Sequence, residues 1–216
     1  MRAGGDLQGR LFRFTAPALI VFDLKAKTYR KLLGQDPSTQ PQDWLIRSNN
    51  GPHRLGYGLV TFSVGLDGIE LSRDGHWLYY GAMSHKMMYK VPTAVLLDAT
   101  LSAQAMSEKV VAVGRKPLSD GITVDAHDNI LITDVEHGGI ARLNAKGELT
   151  TLTKSPQVVW ADGIAMAPDG KVLFTDSAIP AYIDQLARPP SRETLHAVAP
   201  YKIYRFDPAA RGGSGQ

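Results

Sequence analysis

The stretch Leu118-Ser119-Asp120-Gly121-Ile122-Thr123-Val124-Asp125-Ala126-His127-Asp128-Asn129-Ile130-Leu131-Ile132-Thr133-Asp134 decides the fold of this chain. It predicts two short apolar strands joined by a tight turn that is built on Asp and Asn. The same phrase occurs twice more, over 67–80 and 162–176, and each copy opens with Asp-Gly. The Asp-Gly pairs are 53 and 42 residues apart. Because propeller blades are roughly 40–50 residues long, this repeat predicts blades of a β-propeller.

A third strand recurs outside these phrases. The segments 19–23, 140–144 and 203–207 each begin with an apolar residue, have another at the fourth position, and end in Asp or Asn. We name the strands of a blade A, B, C and D, outward from the channel. The pattern predicts an all-β fold of the propeller type that is incomplete, with about three and a half blades of four-stranded antiparallel sheet. Such an arc would be the C-terminal portion of a larger ring, or another copy would cover its edges.

The whole chain, 1–216, is therefore predicted to be one partial β-propeller domain. An insertion between strands C and D of the first full blade is predicted to form short helices at 95–97 and 103–110, with Ser102 as N-cap. The long segment 177–201, with a helix predicted at 181–187, is either a connection or a lid over the channel. The predicted parts are an irregular N-terminus (1–16), strands C and D of one blade with a loop (17–59), three blades (60–117, 118–158 and 159–207) and a disordered tail (208–216).

The composition excludes several classes of function. The chain has no cysteine, which excludes disulfides and thiolate chemistry. Its net charge is +3 and the charges are interspersed, so nucleic acid is not expected as a partner. No apolar run approaches the ~20 residues of a membrane helix, and Arg13 interrupts the segment that would be the core of a signal peptide. The composition does not indicate an oligomeric state.

Taken in order, the motifs resemble the C-terminal part of the major royal jelly/yellow protein family, and specifically its bacterial members. The resemblance covers about residues 17–207. It is carried by these phrases: Val64-Gly65-Leu66-Asp67-Gly68-Ile69, Leu78-Tyr79-Tyr80-Gly81, Tyr89-Lys90-Val91-Pro92-Thr93, Ser119-Asp120-Gly121-Ile122, Thr133-Asp134-Val135-Glu136-His137, Trp160-Ala161-Asp162-Gly163-Ile164, Thr175-Asp176-Ser177 and Tyr201-Lys202-Ile203-Tyr204-Arg205-Phe206.

The resemblance implies a six-bladed β-propeller that is secreted or periplasmic. If the chain is complete, its lack of a signal peptide predicts a cytoplasmic protein instead. Insect members of the family are linked to dopachrome conversion or to the binding of small amines. The fold is also similar to that of the gluconolactonase/regucalcin family, whose metal lies in the central channel on carboxylate and Asn ligands. Roughly two blades of the complete pattern are missing here, together with any channel ligands that they would supply.

Acidic side chains are predicted to gather at one end of the channel. Strands A and B are antiparallel, so the start of A and the end of B lie at the same end. Converging carboxylates repel each other unless a cation lies among them, and hard oxygen ligands suit Ca²⁺ or another divalent cation. We predict such a metal at Asp120 and Asp162. Alternatively, Asp before Gly only fixes a turn. The predicted ligand-binding residues are Asp67, Asp120, Asp162, Asp134, Asp176, His85 and Ser177.

The loop after the second B strand offers acid–base groups. Glu136 is the best candidate for a general base, with His137 beside it. Three functions remain open. The first is a yellow-type propeller that binds a small molecule and is related to dopachrome tautomerases. The second is a metal-dependent, gluconolactonase-like hydrolase. The third is a non-catalytic scaffold or a truncated remnant.

Overall fold

The computed structural model describes residues 17–49, 51–55, 60–180, 191–197 and 201–209. The predicted propeller strands are present in chain order, and three short helices lie between them in the described part of the chain. The elements are β1 (Leu19–Asp23), β2 (Thr28–Leu32), β3 (Arg47–Ser48), β4 (Gly51–Pro52), β5 (Arg54–Leu55), β6 (Val60–Thr61), β7 (Leu66–Leu71), β8 (Trp77–Ala82), β9 (Met87–Pro92), α1 (Thr93–Leu97), α2 (Ala103–Ser107), β10 (Val111–Arg115), β11 (Ile122–Val124), β12 (Ile130–Asp134), β13 (Gly139–Leu143), β14 (Leu149–Lys154), β15 (Ala161–Met166), β16 (Val172–Asp176), α3 (Arg192–Ala197) and β17 (Lys202–Phe206).

The strands form antiparallel blades in the predicted A-B-C-D order. Strands β7 to β10 make one four-stranded sheet and β11 to β14 make the next. In the described residues the last sheet has three strands, β15, β16 and β17, and the hairpin of β1 and β2 makes the outer half of the first blade. The all-β fold of incomplete propeller type is therefore confirmed. The number of blades in a closed ring stays a prediction, as do the ends of the domain.

The core lies between successive blades, because the middle strands are buried on both faces. On β12, Ile130 and Ile132 pack toward Met88 of the preceding blade. The intervening Leu131 packs toward Phe174 of the following blade. This alternation follows from the two-residue period of a strand, and burying each such side chain contributes about 1.5–3 kcal/mol.

The predicted insertion between β9 and β10 is confirmed as two short helices. Helix α2 begins where expected, because the Ser102 Oγ accepts a hydrogen bond of 3.1 Å from the Ala105 backbone N–H. That bond satisfies one of the free donors of the first helical turn. The helix predicted at 181–187 lies outside the described residues. No helix in the described part of the chain has the length and apolar character that a membrane span requires.

The inner strands of neighbouring blades approach each other closely at the Asp-Gly positions. A Cβ atom built on Gly121 would lie 2.4 Å from the carbonyl oxygen of Asp162 in the next blade. A Cβ atom on Gly68 would likewise lie 3.0 Å from the carbonyl oxygen of Asp120. The glycine of each pair therefore allows the backbone contact between blades, which brings the preceding aspartates of successive blades together.

We expect Gly121→Ala to destabilise the protein far more than Gly163→Ala at the equivalent position of the last blade. The nearest atom to a Cβ on Gly163 is the Thr175 Oγ1 at 3.3 Å, a side-chain atom that can shift. Overpacking against backbone costs about 1–3 kcal/mol, and each kcal/mol lowers Tm by roughly 2–4 °C in a chain of this size. Thermal unfolding followed by circular dichroism measures the difference. Equal Tm values for the two variants would contradict the close contact.

Candidate functional site at the channel mouth

Each leading aspartate lies where its strand leaves regular pairing. The register of β7 against β8 shifts between Leu66 and Gly68, and that of β15 against β16 shifts between Ala161 and Ile164. Asp67 and Asp162 are therefore left out of the ladder, as an extra residue is at a β-bulge. Asp120 immediately precedes β11 with Gly121, and the Thr133 Oγ1 accepts a hydrogen bond of 3.0 Å from each of their backbone N–H groups.

The three carboxylates form the acidic cluster, which we define as Asp67, Asp120 and Asp162. Burial of its carboxyl group, followed by repulsion from Asp120 and Asp162, raises the pKa of Asp67 to about 7. The interaction of the two side chains favours the protonated form of Asp67 and the ionised form of Asp120. The residue Asp67 as a whole is exposed, so water screens much of this repulsion. The predicted convergence of these side chains is thus present in the structure.

Trp160 distinguishes Asp120 from Asp67. The indole Nε1–H of this fully buried residue donates a hydrogen bond of 2.8 Å to the Asp120 Oδ2. Burial raises the pKa of Asp120 to about 6, while the hydrogen bond from Trp160 opposes that rise by favouring the ionised form. The pair therefore favours one arrangement, in which Asp120 is ionised and Asp67 carries the proton.

The segment between the first hairpin and β7 covers this end of the blades. The Gln42 backbone N–H donates to the Ser84 carbonyl at 2.7 Å, and the Arg47 N–H donates to the Glu136 Oε1 at 2.9 Å. His53 makes an edge contact with the Trp160 ring, with 5.6 Å between the ring centroids. The apolar group beneath this cover, the mouth core, consists of Ile46, Phe62, Met83, Leu118, Val135 and Trp160. These contacts hold the Trp160 indole in place beside Asp120.

Lys116, in the connection before Ser119, is buried with only 5% of its surface exposed. Its Nζ donates to the Ser119 Oγ at 2.8 Å and to the Pro117 carbonyl at 3.0 Å, with the Met83 carbonyl at 3.5 Å. Burial lowers the pKa of Lys116 to about 7, although attraction to Asp67 and Asp134 opposes the shift. A buried ammonium group therefore lies close to the acidic cluster.

The predicted acid–base pair, Glu136 and His137, is held by structural contacts. The Glu136 carboxylate accepts the backbone hydrogen bond from Arg47 described above. The His137 Nδ1 lies 2.9 Å from both carboxylate oxygens of Asp134, whose Oδ1 also accepts from the His137 backbone N–H at 3.1 Å. Asp134 thus fixes the turn between strands B and C. A catalytic role of Glu136 and His137 stays a prediction.

The remaining predicted ligand residues also make local contacts. Asp176 is buried, and its carboxylate accepts hydrogen bonds of 3.0 Å from the backbone N–H groups of Val159 and Trp160. The Ser177 Oγ is buried and makes no hydrogen bond within the described residues. His85 is buried, not exposed on its loop, and its Nδ1 accepts from the Met87 N–H at 3.0 Å. Ligand binding by these residues stays a prediction.

The sequence analysis assigned no role to Trp160 or Lys116. Trp160 stands two residues before the Asp-Gly pair of its blade, where the other two blades have Leu118 and Gly65, and this difference was the available signal. Lys116 stands in the short connection from strand D to the next strand A. Nothing in the sequence around it indicates that its ammonium group is buried.

A divalent cation is the group that the resemblance implies for this channel. Among the described residues, no group of three or more His, Asp or Glu side chains is arranged so that it could hold a metal ion. One of the clustered carboxylates, that of Asp120, instead accepts a hydrogen bond from Trp160. The described residues therefore do not supply a complete ligand set by themselves. The metal predicted at Asp120 and Asp162 stays a prediction.

The comparisons with known proteins concern the blades that carry this cluster. The family model described as the SMP-30/Gluconolactonase/LRE-like region matches residues 63–179, which is more than half of the chain. This match confirms the gluconolactonase-like part of the resemblance, whereas the royal jelly/yellow part finds no support among these matches. No curated protein sequence gives a significant match.

Several solved structures are similar to this chain at low sequence identity. A gluconolactonase from Xanthomonas campestris is 16% identical with a TM-score of 0.47, over 82% of this chain and 54% of that one. Virginiamycin B lyase from Staphylococcus aureus is 17% identical with a TM-score of 0.38, over 52% of this chain and 34% of that one. A nidogen/laminin complex is 15% identical with a TM-score of 0.41, over 58% of this chain and 48% of that one. The chain thus spans about a third to just over half of these structures, and their functions do not transfer to it.

Proposed function

Because the chain belongs to the SMP-30/gluconolactonase/LRE-like family, we propose that the acidic cluster hydrolyses lactones, which are cyclic esters of hydroxy acids. The observation that carries the proposal is the hydrogen-bonded pair of Asp67 and Asp120 at the channel mouth. Ester hydrolysis needs a base to activate water and an acid to protonate the leaving oxygen. Two carboxyl groups in different protonation states provide both in one place.

The environments of the two carboxyl groups assign their roles. Asp120, which accepts from the Trp160 indole, is the ionised partner and removes a proton from water. The resulting hydroxide adds to the lactone carbonyl, and the acyl C–O bond of the ring then breaks. Asp67, the protonated partner, gives its proton to the departing ring oxygen. The product is the open hydroxy acid, and the proton taken by Asp120 returns the pair to its starting state.

The third carboxylate, Asp162, keeps one proton on the pair of Asp67 and Asp120. Its negative charge raises the pKa of both Asp67 and Asp120. This repulsion makes it costly to ionise the whole cluster, so one proton stays on the pair near neutral pH. No described contact favours the dopachrome-type or scaffold hypotheses over this one, and both remain without support.

We expect the protein to hydrolyse glucono-δ-lactone with a bell-shaped dependence of kcat/KM on pH. The rate should fall below about pH 6, where the pair takes up a second proton, and above about pH 7, where it loses the last one. Both limbs belong to the coupled pair and to neither residue alone. A pH-stat assay, corrected for spontaneous hydrolysis, measures this profile. A folded protein with no turnover, or with a flat profile between pH 5 and 8, would refute the proposal.

A further inference from the structure

The inner edge of the first hairpin is a free strand edge in the part of the chain that the structure describes. There β1 pairs with β2 alone, whereas in both four-stranded sheets a strand B lies beside strand C. A free edge presents a row of backbone donors and acceptors that another strand can bind. The position of β1 in its blade, as strand C, therefore leaves room for a strand B on this side.

An apolar groove of about 690 Å³ runs along this edge, and side chains of both β1 and β7 line it. Leu19 and Val21 of β1 and Ile69 and Leu71 of β7 are among the lining residues. The two β7 side chains are 53% and 48% exposed, although they lie on the inner strand of a blade. A free strand edge beside such a groove fits an extended segment whose alternate side chains are apolar.

The chain's own residues 10–14, just before the hairpin, have the sequence of such a segment. In Arg10-Leu11-Phe12-Arg13-Phe14 the two phenylalanines alternate with Leu and Arg. The phrase Gly9-Arg10-Leu11-Phe12 also has the order of residue types of Gly170-Lys171-Val172-Leu173, which leads into strand B of the last blade. That order is a glycine, a cation and two apolar residues. The segment therefore matches a strand B, although an irregular N-terminus was predicted for 1–16.

The spacing between this segment and β1 fits the same place. In both four-stranded blades, strand B is joined to strand C by four residues, 83–86 and 135–138. The four residues before β1 are 15–18, so an equivalent strand B would end at Phe14.

The described chain also begins at the correct end of the groove. Pro17 packs closely against Gly65, where a Cβ atom would lie 2.2 Å from the Pro17 Cγ. The Pro17 carbonyl accepts a hydrogen bond of 3.4 Å from the Gln40 Nε2. Because Gly65 immediately precedes β7, these contacts hold the chain at the end of the blade where strands B and C connect.

Pairing in the register of the complete blades would direct both phenylalanines into the groove. In the pair of β12 and β13, the last residue of strand B lies opposite the first residue of strand C. The same register places Phe14 opposite Leu19 and Phe12 opposite Val21. Residues directly opposite each other point to the same face of a sheet, and Leu19 and Val21 line the groove.

We propose that residues 10–14 of this chain dock as a strand on the free edge of β1, with both phenylalanines in the apolar groove. The same register places Arg10 opposite the exposed Asp23, so the two charges are complementary. Asp67 also lines the groove, so the docked segment borders the acidic cluster on the side of the hairpin. This docking is independent of the proposed function.

Disulfide trapping in the whole chain tests the docking, because the chain has no cysteine of its own. Arg13→Cys with Ile20→Cys joins directly opposite positions on the exposed face, and Cα atoms ~4.5–5.5 Å apart are within reach of a disulfide. Arg13→Cys with Phe22→Cys is the matched control, since diagonal positions lie ~7–8 Å apart and are not bridged without backbone movement. In a glutathione redox buffer we expect the intramolecular disulfide to form at least tenfold faster in the first variant, measured by mass spectrometry.

The trapping experiment has outcomes that overturn the proposal. Equal rates in the two variants, or no disulfide in either folded variant, would show that the register is not formed. A disulfide between two molecules would overturn it as well, because a second copy would then occupy the edge.

Two serine substitutions keep the docking testable if a cysteine variant does not fold. Phe12→Ser removes an apolar side chain from the groove, whereas Leu11→Ser changes the opposite face of the same segment. We expect the Tm of Phe12→Ser to lie at least ~4 °C below that of Leu11→Ser. Amide hydrogen exchange in β1 should also be faster in Phe12→Ser, because a bound strand protects that edge. If β1 exchanged at the same rate in both folded variants, residues 10–14 would not occupy the groove.

Discussion

Replacing Asp120 by Asn is expected to reduce kcat/KM for lactone hydrolysis by about 10²–10⁴-fold, the usual contribution of a general base. The amide nitrogen and oxygen occupy nearly the same volume as the carboxylate, so the fold should persist. The Asn side chain can still accept from the Trp160 indole, which is 2.8 Å from the Asp120 Oδ2. What it cannot do is take a proton from water. The loss should therefore appear in kcat, measured by pH-stat, without a fall in Tm.

Two further variants show whether the loss is chemical. Trp160→Phe removes the indole donor and leaves the carboxylate, so we expect a smaller loss of activity and an upward shift of the acid limb. Asp169→Asn removes an exposed carboxylate in the turn between β15 and β16, away from the mouth, and should leave activity unchanged. If Asp120→Asn kept more than a tenth of the wild-type rate, Asp120 would not be the base.

The repeat made the fold and the position of the acidic cluster predictable. Apolar alternation over 122–134 predicted the A and B strands, because each face of β12 had to be buried against a different blade. The identical phase of Asp67, Asp120 and Asp162 in their copies then placed all three at one end of the channel. Both inferences use only the strand period and the antiparallel connection, which are properties of the local sequence.

The contacts that give the aspartates of the acidic cluster different surroundings depend on residues far apart in the chain. Residue Arg47 contacts Glu136, and His53 packs on Trp160, across blades that the repeat treats as equivalent. The burial of Lys116 likewise depends on how the loop at Met83 meets the connection before Ser119. Glu136 was predicted to be a base from its local position alone. That position does not indicate that its carboxylate binds the covering segment. Local spacing could not reveal which side chains that segment reaches.

Replacing Asp67 by Asn is expected to stabilise the protein at pH 8 and to have little effect at pH 4. The folded-state pKa of Asp67, about 7, lies above its ordinary value of 3.8, so the folded state binds a proton that the unfolded state releases. Stability from this group is therefore fully present below about pH 4 and is lost as pH rises through about 7. Since solvent screens part of the repulsion, we expect a gain of only ~1–2 kcal/mol, or roughly 2–8 °C in Tm.

Asp74 of the same blade supplies a control with the opposite sign. Hydrogen bonds from the Ser72 hydroxyl and the His76 backbone N–H lower the pKa of Asp74, so its stabilising effect is present at neutral pH and disappears in acid. Asp74→Asn should consequently lower Tm at pH 8 and converge with the wild type at low pH. Thermal unfolding of both variants between pH 2 and 8 separates the two effects, because the Asp67 effect develops between about pH 4 and 7 and the Asp74 effect disappears only below about pH 4. If Asp67→Asn followed the Asp74 curve, Asp67 would be an ordinary turn residue, and the strained carboxyl pair on which hydrolysis depends would not exist.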